Sequence, residues 1–341
     1  MKVRLALAAG PFVASALVGA GTPEAPTAGR PVTLVRVNGL IDGFAQDAQR
    51  IAWSTQAGRP RKCVRTVHIR NLTTRRTLLT RQAGCVRSSE GASGLVLAGR
   101  AALWQNLVAG GNSERVVDIW TAVAGARAHK AEHLHLTFDP VNAPDLPTAG
   151  SGKLLVYDSE HTSSGSIRRI VSGRPRTLFA FLRPAMLAVA DRSIAVVRRR
   201  RNPTNRFEAI GQVRRADGSL VASFRAAEMP AGVALGSGLV ALLTWGSGTA
   251  DIALFDASTG QLRHGVSVAD HSVLAGGPIT GHRIVFASGL RIRVLDTRSL
   301  ATSTLAVARA VPSWLSSSGR RVAWVETLGG HARIRALMLP R

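Results

Sequence analysis

The chain has 341 residues, of which 45% are apolar and 19% are charged. This composition supplies enough apolar residues for a sizeable core and excludes an intrinsically disordered chain. Arginine accounts for forty of the 44 basic residues, and the net charge is +24 at pH 7. Because the arginines are spread along the whole sequence, codon bias in a GC-rich genome explains the charge more simply than a nucleic-acid surface does. We therefore expect no nucleic-acid partner.

The first twenty residues have the pattern of an export signal. Residues 1–4 are basic, residues 5–18 are mostly apolar, and Val18 and Ala20 provide the small side chains that precede a cleavage site. We predict cleavage near Ala20, a flexible lead-in over residues 21–30, and one folded domain over residues 31–341. The mature chain is then expected outside the cytoplasm, secreted or in the cell envelope, without a transmembrane span. Retention of the segment as an uncleaved anchor is the alternative.

Two cysteines, Cys63 and Cys85, lie symmetrically about a predicted hairpin turn. Residues 64–69 read as an alternating strand, residues 73–75 as a turn and residues 76–80 as the return strand. Since the midpoint between the cysteines falls in this turn, antiparallel pairing places the two thiols opposite each other. We predict a disulfide, which suits an oxidising compartment and would stabilise the fold by about 3 kcal/mol.

An internal repeat runs through the rest of the chain. Residues 47–53, DAQRIAW, match residues 318–324, SGRRVAW: in both, a turn and an arginine precede a β-branched residue, alanine and tryptophan. Looser copies begin at residues 190, 236 and 280. Each copy is followed by further alternating strands, which gives a period of about 40 to 50 residues, and no stretch carries a sustained helical pattern. The sequence therefore predicts an all-β repeat protein.

These repeats divide the chain into seven predicted four-stranded units. Their bounds are 38–82, 83–138, 139–181, 182–226, 227–268, 269–307, and 308–341 joined by 31–37. The last unit supplies only three strands, so we predict that the strand at residues 31–37 pairs with it and closes a ring. The fold class is thus a seven-bladed β-propeller. Six blades with an insertion is the alternative, because residues 139–150 form a Pro-containing stretch without a clear first strand.

The repeated strands also end in a characteristic way. Leu254-Phe255-Asp256, Val294-Leu295-Asp296 and Ile69-Arg70-Asn71 each close an alternating strand with an acidic or amide residue. Together with the repeated turn-Arg-Ile-Ala-Trp strand, this pattern resembles the repeats of TolB-like and other WD40-like β-propellers. The resemblance covers essentially the whole chain after residue 30 and implies the propeller fold. The fuller Trp-Ser-Pro-Asp-Gly opening of that family is degraded here, so a particular partner is not implied.

A group of histidines is the densest set of candidate metal ligands. On an alternating strand, His133 and His135 share one face, while Leu134 and Leu136 line the other. Two imidazoles on one face can bind zinc or another transition metal. The alternative is a solvated face opposite a packed one, since spacing fixes no further ligand.

A run of four arginines, Arg198, Arg199, Arg200 and Arg201, is the strongest local concentration of charge. We predict that it lies in an outer hairpin loop of the fourth blade, which residues 204–206 extend. Such a loop can bind phosphate-rich or carboxylate-rich polymers of an envelope. A solvated loop without a ligand is the alternative.

The predicted function is that of an exported, non-catalytic β-propeller scaffold that binds a protein or an anionic cell-envelope polymer. The sequence contains no Gly-X-Ser-X-Gly elbow and no motif that requires a cofactor, and we expect a monomer. The alternative is a propeller enzyme, a hydrolase or lyase that acts on carbohydrate or a small ester at the central pore. Two or more carboxylates or histidines around one mouth of the pore would favour that enzyme.

Overall fold

The computed structural model describes residues 29–58, 63–85, 94–110, 114–137, 146–161, 164–246 and 248–340. Within these ranges every regular element is a β-strand, and the strands are numbered β1 to β28 along the chain. The same ranges contain no helix with the length and apolarity needed to cross a bilayer. The predicted export signal at residues 1–20 lies outside the described residues.

The strands form seven four-stranded antiparallel sheets, which we call blades one to seven. β1 (Val32–Asn38) comes first in the chain but belongs to blade seven. Blades one to three consist of β2 (Gly43–Gln46), β3 (Arg50–Ala57), β4 (Cys63–Asn71), β5 (Thr77–Cys85); β6 (Val96–Ala98), β7 (Ala101–Gly110), β8 (Glu114–Val123), β9 (His129–Thr137); and β10 (Thr148–Ser151), β11 (Leu154–His161), β12 (Ser164–Val171), β13 (Arg174–Ala180).

Blades four to seven continue the same order from the inner to the outer strand. They consist of β14 (Met186–Ala190), β15 (Ser193–Arg201), β16 (Phe207–Arg215), β17 (Leu220–Ala226); β18 (Met229–Gly236), β19 (Leu239–Trp245), β20 (Ala250–Asp256), β21 (Leu262–Val268); β22 (Val273–Leu274), β23 (Arg283–Ser288), β24 (Arg291–Asp296), β25 (Thr302–Val307); and β26 (Trp314–Ser318), β27 (Arg321–Leu328), β28 (His331–Met338), with β1 outermost.

The predicted seven-bladed β-propeller is therefore confirmed, and the six-bladed alternative is wrong. The stretch that lacked a clear first strand does supply one, because β10 pairs with β11 through Thr148 and Tyr157 and onward to Ser151 and Leu154. β10 has only four residues, too few for an alternating pattern to stand out in the sequence.

Burial explains why the second strand of a blade reads as a continuous apolar run. β19 is buried along its length except at Trp245, because neighbouring blades cover both of its faces. The outermost strand β21 of the same blade is mostly exposed. Within the described residues, each of seven apolar clusters joins two adjacent blades, and one cluster joins blade seven to blade one. A single blade could not bury these faces alone.

The two ends of the described chain meet in blade seven. β1 pairs antiparallel with β28, with Val32 opposite Ala336 and Val37 opposite Ala332. At the neighbouring seam, Arg321 Nε donates to Gln46 Oε1 at 2.7 Å, and its Nη2 donates to the carbonyl of Asp47 in blade one. Burial lowers the pKa of Arg321. The predicted pairing of the N-terminal strand with the last blade is thus observed, and a half-buried cation bridges the seam.

The ring has two faces that differ in their connections. We call the turn face the side on which short turns join the first strand of each blade to the second, and the third to the fourth. We call the loop face the opposite side, which carries the connections between second and third strands and the crossovers from one blade to the next. This division follows from the antiparallel strand order within every blade and decides where each candidate residue lies.

Candidate functional site at blade four and the central channel

The inner strands of the seven blades surround a central channel that contains a cavity of about 420 Å³. Every described side chain that lines this cavity is uncharged, and most are apolar. Two of the polar ones bind the wall itself: Gln46 Nε2 donates to the carbonyl of Ser316 at 2.7 Å, and Thr148 Oγ1 donates to the carbonyl of Gly94 at 2.6 Å. The channel wall therefore offers apolar contact area.

The arginine run lies in a strand, which corrects the predicted hairpin loop. Arg198 to Arg201 form the end of β15, where Arg198 lies opposite Ile210 and Arg201 opposite Phe207 in β16. The loop begins only at Asn202, whose Oδ1 accepts hydrogen bonds from the backbone N–H groups of Thr204 and Arg206 at 3.0 and 2.9 Å. The strand is longer than expected because the partner strand β16 continues to Phe207 and provides hydrogen bonds for the whole run.

Strand alternation divides the four arginines between two sides of blade four. Ile194 and Val196 pack against blade three, and Arg198 and Arg200 follow them on the same side of β15. The Arg200 Nε atom lies 3.7 Å from Glu208 Oε1. This half of the run is partly neutralised within the blade.

The other half of the run faces blade five. Arg199 and Arg201 follow Val197, which packs against apolar residues of blade five. Their guanidinium carbons lie 5.8 and 4.7 Å from the centre of the Phe207 ring, and Arg201 Nη1 donates to Asn205 Oδ1 at 2.6 Å. Both side chains are exposed, and none of the described carboxylates forms an ion pair with either. Phe207 thus holds two uncompensated cations at the loop face.

Two buried carboxyl groups lie at the seam between blades three and four. Asp158 and Glu160 follow Val156 on the side of β11 that packs against blade four. Burial, followed by repulsion from the nearby Glu160 and Glu132, raises the pKa of Asp158 to about 9. Burial also raises the pKa of Glu160, while Arg183, whose Nε lies 3.7 Å away, opposes this effect. Asp158 is therefore neutral at pH 7 and does not cancel the charge of the arginines.

The two predicted metal ligands lie on the outer strand β9 of blade two. His133 Nδ1 is 2.6 Å from Asp118 Oδ1, and His135 Nε2 is 4.0 Å from Glu114 Oε2. Both imidazoles are about half exposed. Across the part of the chain that the structure describes, no group of three or more His, Cys, Asp or Glu side chains could hold a metal ion. The structure pairs each histidine with a carboxylate, and metal binding stays a prediction.

The register of blade one places the two cysteines as expected. Cys63 at the start of β4 lies opposite Cys85 at the end of β5, with a register shift next to this pair. This is the arrangement that the predicted disulfide needs. The return strand continues from Thr77 to Cys85, well beyond the predicted end at residue 80. The disulfide itself stays a prediction.

Reasoning from the sequence did not identify Glu132, close to the two histidines, as a residue that links two blades. Its Oε1 accepts hydrogen bonds from Ser159 Oγ at 2.8 Å and from Arg168 Nη1 at 2.7 Å, and its Oε2 accepts one from Tyr157 Oη. Burial, followed by the hydrogen bond to Glu132, raises the pKa of Tyr157. Glu132 thus connects blade two to blade three. Its place on the packed side of β9, together with Leu134, is the signal that could have identified this role.

Comparisons with known proteins agree with the fold. No protein-family model matches the sequence, and a search among curated proteins finds no relative. Three of the similar solved structures are the β-propeller domain of the Trilobed protease from Pyrococcus furiosus (13% identity, TM-score 0.57, covering 89% of this chain and 94% of that chain), the WD40 domain of Toxoplasma gondii coronin (10%, 0.55, 93% and 89%) and the Dos1 propeller (9%, 0.52, 91% and 95%).

These identities are low, so the likeness establishes the fold alone. The protein is a seven-bladed β-propeller repeat protein, and the WD40-like resemblance of its repeats is confirmed at that level. The Trilobed protease domain is described as having an open velcro topology. In the present chain, β1 instead pairs with β28 inside blade seven.

Proposed function

We propose that this protein is an exported, non-catalytic β-propeller scaffold that binds an anionic partner, a protein or a cell-envelope polymer, at the loop face of blade four. One observation carries the proposal. Arg199 and Arg201 are exposed, held against the ring of Phe207, and free of ion pairs with the described carboxylates. Arg200 and Arg225, by contrast, lie 3.7 and 4.0 Å from Glu208 and share its single negative charge.

The geometry of the two cations favours binding. A guanidinium group presents a planar fork of N–H donors that matches a carboxylate or a phosphate with two hydrogen bonds. Contact with Phe207 and the hydrogen bond from Arg201 to Asn205 restrict side-chain rotation before any ligand binds. A smaller loss of conformational entropy then accompanies binding.

The central channel supports a binding role over the enzyme alternative. A hydrolase or lyase at the pore requires groups that donate and accept protons or that attack the substrate. The described residues that line the channel cavity supply uncharged, mostly apolar side chains. Such a wall suits contact with an apolar group of a partner.

Export is part of the proposal and rests on the sequence. Residues 1–20 have the pattern of a signal peptide, and the register of Cys63 and Cys85 suits a disulfide formed in an oxidising compartment. Intact-mass measurement of the protein recovered from outside the cytoplasm tests both points. Cleavage near Ala20 and the loss of two hydrogens at the cysteines support the proposal, whereas an uncleaved chain confined to the cytoplasm contradicts it.

Binding at blade four is tested by charge reversal with a matched control. The variant R199E/R201E changes the loop face, while R215E/R298E makes the same change in net charge at exposed positions of the turn face. Polyphosphate and poly-L-glutamate serve as phosphate and carboxylate probes in a titration at low salt. We expect R199E/R201E to weaken binding by about tenfold or more and the control to weaken it by less than about threefold. Equal losses in both variants would mean that only net charge matters and would refute a site at blade four.

A further inference from the structure

The loop face of blades six and seven carries a strip of exposed apolar side chains. We call it the apolar strip, and its members are Leu40, Leu290, Val307, Val311 and Leu328, which are 66, 42, 65, 66 and 38% exposed. Isolated exposed apolar residues are common on soluble proteins. A connected set on one face instead marks a surface that another molecule covers.

Backbone hydrogen bonds bring the segments that carry these side chains together. The N–H of Ala308, next to Val307, donates to the carbonyl of Leu290 at 2.8 Å. The crossover that carries Val311 is tied to β27, because the N–H of Ser313 donates to the carbonyl of Val325 at 3.1 Å. On the far side of blade seven, the N–H of Gly39, next to Leu40, donates to the carbonyl of Gly330 at 3.1 Å. The strip thus runs from blade six across blade seven to the crossover into blade one.

The side chain of Leu328 belongs to this strip by strand alternation. Val322 and Trp324 of β27 pack against blade six, and Glu326 and Leu328 follow on the same side. Glu326 confirms the direction, because its Oε1 accepts a hydrogen bond from the N–H of Arg309 in the crossover at 3.3 Å. Leu328 therefore points toward the crossover that carries Val311.

The same two blades open toward the channel. Val273 begins the inner strand of blade six and is 51% exposed, and half-buried Trp314 begins the inner strand of blade seven. Both line the channel cavity of about 420 Å³, a volume within the roughly 300–1,000 Å³ of typical ligand pockets. The apolar surface is therefore flat along the strip and concave at the channel.

The charges around the strip are basic. Arg291 and Arg309 are exposed beside Leu290 and within the crossover, and half-buried Arg333 lies in β28. Of the carboxylates near the strip, Glu326 is 2% exposed and accepts a hydrogen bond from Trp324 Nε1 at 2.8 Å, and Asp42 forms an ion pair with Arg65 at 3.0 Å. Exposed Asp270 lies at the channel mouth next to His271, so the positive charge is concentrated at Arg291 and Arg309, away from that mouth.

We propose that the apolar strip binds an acidic, amphipathic peptide segment of a protein partner, with one large apolar side chain of that segment in the channel mouth. The apolar side chains of the segment cover Val311 and Leu328, while its carboxylates meet Arg291 and Arg309. The concave channel mouth favours a peptide over a membrane, because a flat bilayer surface cannot enter it, whereas a single anchoring side chain can. The inference rests on the proposed scaffold function and uses a different surface of the loop face.

The test selects a phage-displayed library of random dodecapeptides on the immobilised full-length protein and measures the selected peptides by fluorescence anisotropy. We expect the selected sequences to combine aspartate or glutamate with at least one aromatic or large aliphatic residue. The variants V311D/L328D and V311S/L328S should each weaken binding by about tenfold or more. The control L220D/L262D alters two exposed leucines on the outer strands at the turn face and should leave binding unchanged. All variants alter exposed side chains, and thermal unfolding checks that they fold.

The outcomes separate this inference from the function proposed at blade four. R199E/R201E should leave peptide binding unchanged, and V311S/L328S should leave polyphosphate binding unchanged. The inference is overturned if the selected peptides lack acidic or apolar residues, or if L220D/L262D reduces their binding as much as V311S/L328S does. It is also overturned if the protein instead binds phosphatidylglycerol-containing vesicles in a manner that V311S/L328S abolishes while no peptide binds.

Discussion

The two faces of the propeller use their polar residues in opposite ways. On the turn face, the third strand of a blade often ends in an acidic or amide side chain that binds its own turn. Asp256 Oδ1 accepts hydrogen bonds from the N–H groups of Ser258 and Thr259 at 2.8 and 2.9 Å, and Asn71 Oδ1 accepts those of Thr73 and Thr74 at 2.9 and 3.0 Å. On the loop face, Arg199 and Arg201 rest on an aromatic ring without a carboxylate partner.

The difference separates residues that stabilise the ring from residues that are available to a partner. The turn that begins at Asp256 also fits closely against blade four. Gly260 has a φ of +75°, and a side chain there would collide with the carbonyl of Ser223. Sequence constraints on the turn face therefore follow from the fold itself, whereas the exposed arginines and apolar residues of the loop face have no such structural reason. Three predictions test this separation.

The largest effect is expected at the seam between blades seven and one. Arg321 donates to Gln46 Oε1 and to the carbonyls of Asp47 and Ala48. R321A removes these hydrogen bonds and leaves the buried Gln46 side chain without its donor, which should lower the free energy of unfolding by about 3 kcal/mol. Urea denaturation measures the change. The control R298A alters an exposed turn-face arginine and should cost less than about 0.5 kcal/mol. A loss below about 1 kcal/mol for R321A would show that Arg321 does not hold blades seven and one together.

The second prediction concerns the buried acid at the seam between blades three and four. Asp158 has a folded-state pKa of about 9 against an ordinary value of 3.8. The folded protein thus keeps a proton that the unfolded chain releases, and this residue lowers stability progressively as the pH rises between those two values. D158N removes the penalty, so it should raise the free energy of unfolding by at least about 2 kcal/mol at pH 8 and change it little at pH 4.

Urea denaturation as a function of pH checks this prediction. D191N, at an exposed aspartate of the turn face, serves as the control and should leave the pH profile unchanged. If D158N stabilises the protein equally at pH 4 and pH 8, Asp158 is not held neutral by burial. In that case Asp158 is ionised in the folded protein and carries a buried negative charge at the seam between blades three and four.

Much of the fold could be predicted because local signals and the repeat agree. Alternating strands, turns with Gly or Asp, and a matched pair of segments at residues 47–53 and 318–324 were enough to predict seven blades and the pairing of β1 with the last blade. The placement of Cys63 opposite Cys85 also agrees with the sequence prediction. It depends on the hairpin turn and, in addition, on the register shift between Cys63 and Val64, which the sequence did not indicate.

The candidate sites could be predicted less well because they depend on contacts between distant segments. Four consecutive arginines indicate a solvated loop, yet the length of β16 makes them a strand, and alternation then decides which of them meet Glu208 and which meet Phe207. The apolar strip joins residues from the two ends of the chain. The segments of Leu40 and Leu328 come together only when β1 pairs with the last blade, so no local pattern could have indicated it.

The smallest effects are expected when Asp256, whose carboxylate binds its own turn, is compared with the exposed arginines of the loop face. D256A removes the acceptor of the Ser258 and Thr259 N–H groups and should lower the free energy of unfolding by about 1 kcal/mol. R199A/R201A should change it by less than about 0.5 kcal/mol, because these side chains are exposed. Comparable losses in both variants would mean that the arginines are part of the structural framework.

The pH dependence of the stability that Asp256 contributes tests the same comparison. Hydrogen bonds from Ser258 and Arg263 lower the pKa of Asp256 below its ordinary value of 3.8. Its charge therefore contributes stability that is fully present above pH 3.8 and is lost as the pH falls toward the folded-state pKa. D256N retains an acceptor oxygen but no charge, so it should reduce the acid dependence of unfolding and preserve more stability at neutral pH than D256A does. If D256N and D256A are equally destabilised at neutral pH, the charge, and not the hydrogen bonds to the turn, is what the turn face requires.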